Sequence, residues 1–68
     1  MKVTEKAVLE NGYTRYLLGE EFWAINTGKY GWSYFQISKN GKSRELPSHH
    51  SKAIYFIKQA ISKFDSKE

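Results

Sequence analysis

Four groups of side chains in this 68-residue chain have types and spacings that can do chemistry. The first is basic and aromatic. Tyr30, Trp32 and Tyr34 lie within a few residues of Lys29, Lys39, Lys42 and Arg44, with Gln36 among them. Cations neutralise phosphates and release counterions, while exposed rings stack on bases or wedge into a groove. A two-stranded ribbon also fits the major groove, where Arg44 or Gln36 can read base edges. The competing reading is structural, with lysines solvating a turn and aromatics packing a thin core. No RNP-like, KH-like or zinc-finger pattern accompanies the set, so the signal is compositional.

The second group is Ser48-His49-His50-Ser51. A metal needs three or four converging ligands, and the chain has neither a cysteine nor a third histidine. A ribonuclease-like role for His49 with Lys52 or Arg44 would need a fixed geometry that nothing in the sequence supplies. These residues read as the polar start of a helix, with no catalytic, metal or cofactor site assigned. Lys52, Lys58 and Lys63 form the third group, a solvated helix face or an auxiliary phosphate contact. The fourth is the segment 3–18, whose charges alternate in sign beside Tyr13, Tyr16, Leu17 and Leu18. It reads as a dimer seam, a site for a protein partner, or the outer part of a sheet. Glycines 12, 19, 28, 31 and 41 lead into no Lys-Ser/Thr pair and helix, so they form no phosphate loop.

Size and charge bound what these groups can serve. A single domain spanning 1–68 without cysteines must be stabilised by burying large side chains. The eleven aromatics exceed what a one-layer core needs, so some are expected to be exposed or to meet a partner. Net charge is +4, and residues 22–64 carry seven cations against Glu45 alone. That asymmetry favours an anionic partner. There is no apolar leader and no run of membrane-spanning length, which points to a soluble, cytoplasmic protein without a membrane partner.

The elements that must position these groups are strands followed by one helix. Asn11-Gly12 and Asn40-Gly41 signal two-residue type I′ hairpins, with Gly19-Glu20 and the loop from Thr27 to Gly31 as further breaks. Strand-like segments fall at about 3–10, 13–18, 21–27, 32–39 and 42–46. In the fourth, Phe35 and Ile37 point one way and Trp32, Tyr34, Gln36 and Ser38 the other. The first side is the expected core face, which exposes Trp32 and Tyr34. In the third, Phe22 and Ala24 alternate with Trp23 and Ile25, so either face can be buried. Pro47 ends the strand region, Ser48 or Ser51 caps a helix over about 49–64, and 65–68 is a frayed tail. Ile54, Ile57, Ile61 and Phe64 give the helix an apolar stripe, widened by Ala53, Phe56 and Ala60.

The expected fold is α+β: an antiparallel meander of three to five strands with one C-terminal amphipathic helix packed on one face. Over about residues 21–64 the strand-strand-strand-helix order, with Asn40-Gly41-Lys42 in the last hairpin, resembles sheet-type DNA-binding modules such as the arm-binding domains of integrases. The likeness is architectural and assigns no role to any residue. The expected function is non-enzymatic nucleic-acid binding, DNA ahead of RNA, through Lys29, Tyr30, Trp32, Tyr34, Gln36, Lys39, Lys42 and Arg44. The alternative is a protein-binding module or small inhibitor using the uncovered sheet face, with a homodimer as one form. A compact chain of this kind also suits a phage or mobile-element accessory protein.

Overall fold

The computed structural model describes residues 2–66. Five antiparallel strands, β1 (Glu5–Val8), β2 (Thr14–Leu18), β3 (Phe22–Asn26), β4 (Trp32–Ile37) and β5 (Ser43–Glu45), are followed by helix α1 (Ser51–Ser66). The sheet order is β1-β2-β3-β4-β5, a meander. A short 3-10 turn, Gly28–Tyr30, joins β3 to β4. Aromatic and β-branched residues dominate β3 and β4, where a pleated surface accommodates them. The α+β expectation is met, with five strands.

Two hairpin loops depart from the type I′ geometry. That turn needs positive φ at both central residues, yet only glycines are left-handed, Gly12 at φ 85° and Gly41 at φ 83°. Gly41 N–H donates to the Ser38 carbonyl at 2.9 Å and Ser38 N–H to the Lys42 carbonyl at 2.8 Å. The loop is therefore 39–41, a tight turn closed by a left-handed glycine, and the Leu9–Tyr13 loop repeats it. Neither Asn40 nor Asn11 has positive φ, and each side-chain oxygen accepts the N–H two residues on, from Lys42 at 3.4 Å and from Tyr13 at 3.1 Å. The extra loop residue sets the register. Arg44 pairs with Gln36 and Glu45 with Phe35. A two-residue loop would place Arg44 opposite Ile37 and exchange the faces of the two charges.

The helix covers one face of the sheet. Tyr16, Ala24 and Tyr34 form a row across β2, β3 and β4, and they share a core with Leu18, Leu46, Ile57, Ala60 and Ile61. Ala24 is 0% exposed, and its small side chain between two tyrosines leaves a hollow that the helix can approach closely. This face therefore holds Trp32, Tyr34 and Gln36, the reverse of the expectation from β4 alone. Tyr34 is 8% exposed, a core residue and not a surface aromatic. Phe35 and Ile37 lie on the open face with Leu17, Trp23 and Ile25. The pattern within β4 could not decide this, because both its sides are apolar. Ala24 distinguishes the sides, since its small side chain leaves a hollow that the helix stripe fills together with Leu18 and Leu46.

The helix is shifted relative to its expected range. His50, not Ser48 or Ser51, precedes the first helical residue, and its carbonyl accepts Ile54 N–H at 3.2 Å. At the other end Asp65 and Ser66 are helical rather than frayed. Asp65 is held by Lys6 at 3.0 Å and by the Tyr16 hydroxyl at 2.9 Å. Lys67 and Glu68, also assigned to the tail, lie outside the described residues. Phe56, expected to widen the buried stripe, is 48% exposed at its margin.

Candidate nucleic-acid interface

The side chains singled out for nucleic acid fall into two clefts on the β4–β5 side of the molecule. The first, about 480 Å³, is lined by Gln36, Ser38, Asn40, Lys42, Ser43 and Arg44. The three-residue loop builds it, because the Gln36–Arg44 pairing brings an amide and a guanidinium together on the helix side of the sheet. Ser38 Oγ bonds the Asn40 side chain and donates to the Lys42 carbonyl at 3.0 Å, so the loop beneath the lysines is held in place.

The second cleft, about 300 Å³, lies where the helix crosses β4 and is lined by Trp32, Tyr34, Lys58, Ile61 and Ser62. Trp32 is 39% exposed; its ring lies 6.2 Å from that of Tyr34, with the planes 4° from parallel, and 5.6 Å from that of Tyr16. Lys58 Nζ sits 6.0 Å over the Tyr34 ring. An exposed indole beside an ammonium group can stack a base and neutralise its phosphate. Four residue steps along β4 separate Trp32 from Gln36, about 13 Å, or roughly four base steps of a duplex. Tyr30, 79% exposed, and Lys29 stand in the 3-10 turn just before Trp32.

Of the expected site residues, the structure groups Gln36, Lys42 and Arg44 in one cleft and Trp32 and Tyr34 in the other. Tyr34 contributes one side of its buried ring, and its hydroxyl pKa is raised by desolvation. Lys39 lies in the exposed loop beside the first cleft. Lys58 belongs to the second cleft more directly than the sequence indicated. The sequence offers it as part of a solvated helix face or an auxiliary phosphate contact, and nothing local to its sequence relates it to Trp32.

Charge separates between the two sides of the sheet. The helix and the strand face it covers carry Lys6, Arg44, Lys52, Lys58 and Lys63, with Asp65 as the sole acid among the described residues there. Asp65 is engaged by Lys6 and Tyr16. The open face carries Arg15 with Glu5 and Glu45. Among the described residues none of the cations of 22–64 has a carboxylate partner. A third cleft, lined by residues including Phe22, His49, His50, Lys52 and Phe56, holds the two histidines with ring centroids 4.6 Å apart. Among the described residues no three His, Cys, Asp or Glu side chains gather into a metal-binding group. No described helix is long and apolar enough to cross a membrane.

Comparison with protein-family models, with curated proteins and with solved structures finds no match for this chain.

Proposed function

We propose that the protein is a non-enzymatic nucleic-acid-binding module, DNA ahead of RNA, that engages its ligand through the helix side of the β4–β5 edge. One observation carries this reading: beside the Lys6–Asp65 pair, the helix-side surface holds four cations, Arg44, Lys52, Lys58 and Lys63, and among the described residues no further carboxylate, whereas the open face holds one cation against two carboxylates. In this reading Lys39, Lys42 and Arg44 contact phosphates, with Arg44 and Gln36 also within reach of base edges. Trp32 and Tyr30 supply stacking surfaces, Lys29 and Lys58 the charges beside them, and Tyr34 supports Trp32 from within the core. The deciding test is fluorescence anisotropy with labelled single- and double-stranded DNA and RNA, repeated from about 50 to about 200 mM salt. Micromolar or tighter binding that weakens steeply with salt is expected. Absence of binding to all four at the lowest salt would remove the proposal.

A further inference from the structure

The outward side of the helix continues the cleft of Trp32 and Tyr34. Tyr55, Lys58, Gln59, Ser62 and Lys63 recur at intervals of three and four, so they share one side of α1. They line a further cleft of about 360 Å³. It has Lys58 and Ser62 in common with the cleft of Trp32, so one surface runs from the indole on β4 over the helix to Lys63 and Tyr55. Each cleft contains an exposed ring, Trp32 in one and Tyr55 in the other, and no carboxylate lines either. Both rings are held before any ligand arrives. Trp32 lies against Tyr16 and Tyr34, and the Tyr55 hydroxyl accepts the Gln59 side-chain N–H at 2.9 Å. Rings fixed in this way lose little freedom on binding.

We propose that this surface is the track of a single strand of nucleic acid. One unpaired base stacks on Trp32 in the cleft between β4 and α1, and the phosphates that follow pass over Lys58 and Lys63. The proposal rests on the nucleic-acid reading above and specifies its ligand as unpaired. A base inside a duplex has both faces covered by its neighbours, and it must leave the stack to enter a cleft between a strand and a helix. An unpaired base arrives with a free face and a free edge, and its own phosphate follows it to the ammonium groups. Ser62, exposed where the two clefts meet, has a hydroxyl that can donate to that edge or accept from it. Tyr55 offers a stacking surface to a second base further along the same strand. Alternation of exposed rings with cations is the arrangement that holds single strands with little regard to sequence.

The test is fluorescence anisotropy of the full chain with three labelled probes at one salt concentration. They are a short oligodeoxythymidylate, its abasic counterpart with the same phosphates, and a duplex of the same length. The thymidylate strand is expected to bind at least about tenfold more tightly than either of the others. Trp32→Ala should remove most of its advantage over the abasic strand. Lys63→Ala, a change at an exposed helix position, should weaken both single strands alike and lower the salt slope by about 0.7, which keeps the test decisive if the first variant fails to fold. A matching oligouridylate distinguishes RNA from DNA as the strand, and base-dependent binding of either supports the proposal. Three results would overturn the track while leaving nucleic-acid binding itself in place: a duplex bound as tightly as the single strand, an advantage over the abasic strand that survives in folded Trp32→Ala, or an affinity unchanged by Lys63→Ala. Absence of binding to every probe would remove both readings.

Discussion

The Tyr16 hydroxyl, at the centre of β2, donates to the carboxylate of Asp65 in the last turn of the helix at 2.9 Å. An acid at this end of a helix opposes the macrodipole, so its presence there needs compensation. Tyr16 and Lys6 supply it and fasten the helix terminus to two strands at once. Tyr16→Phe should lower the unfolding free energy by about 1 kcal/mol, read from urea denaturation with the slope unchanged. Combining it with Asp65→Ala should add less than the two separate losses, because both remove one shared contact. Full additivity would count against the tie.

Stability should decline at alkaline pH. The Tyr16 pKa is raised above 10.0 by burial first, and then by its hydrogen bond to Asp65 and that residue's charge; the Tyr34 pKa is raised by burial. Between the unfolded and the raised folded values the native state holds protons that the unfolded chain has released. The stabilisation is therefore complete below 10.0 and is lost as pH rises through the folded values. Melting temperatures measured across that range should fall, and Tyr34→Phe should flatten the decline. A flat profile for the unaltered protein would contradict the burial of both hydroxyls.

Gly41 is open to solvent, with nothing within 4 Å of where a Cβ would sit, yet its φ of +83° disfavours any L side chain. Gly41→Ala should cost about 1 kcal/mol through backbone conformation alone. Gly41→Asn should cost less, because asparagine tolerates the left-handed region. Equal losses for the two variants in thermal denaturation would point to a steric cause instead.

The two faces should separate in binding assays. Arg44→Ala and Lys58→Ala should each weaken nucleic-acid affinity by roughly tenfold or less and reduce the salt slope by about 1. Trp32→Ala should weaken single-strand binding more than double-strand binding. Arg15→Ala, on the open face, should leave both affinities unchanged. Anisotropy titrations of the folded variants check this, and a loss on Arg15→Ala equal to that of Arg44→Ala would reassign the surface.

Much of this architecture was legible in the residues, for identifiable reasons. The three-four-three spacing from Ile54 to Phe64 can serve only one helix face, and the Asn-Gly pairs break the chain where strands reverse. Long cationic side chains keep their charge in water almost regardless of fold, so the exposure of Lys39, Lys42 and Arg44 followed directly. The choice of buried face did not, because β3 and β4 are apolar on both sides. It depends on non-local partners: Ala24 between two tyrosines, and Leu18 and Leu46 on the same side. The pairing of Gln36 with Arg44 was hidden as well, since it turns on one additional loop residue. Ala24, the single small residue in an otherwise bulky β3, was the available clue.

The meander order also governs how the chain can find this structure. Each strand pairs with its neighbour in sequence, so every hairpin closes a short loop and loses little entropy in doing so. Such local topologies lie towards the fast end for sheet proteins, with individual hairpins forming in microseconds. Only the helix must reach across the chain, its last turn meeting Lys6 and Tyr16. An assembled sheet awaiting its helix would expose two apolar faces, and docking of residues 51–66 removes one of them. Docking of the helix is therefore the step that removes one aggregation-prone face from such a sheet.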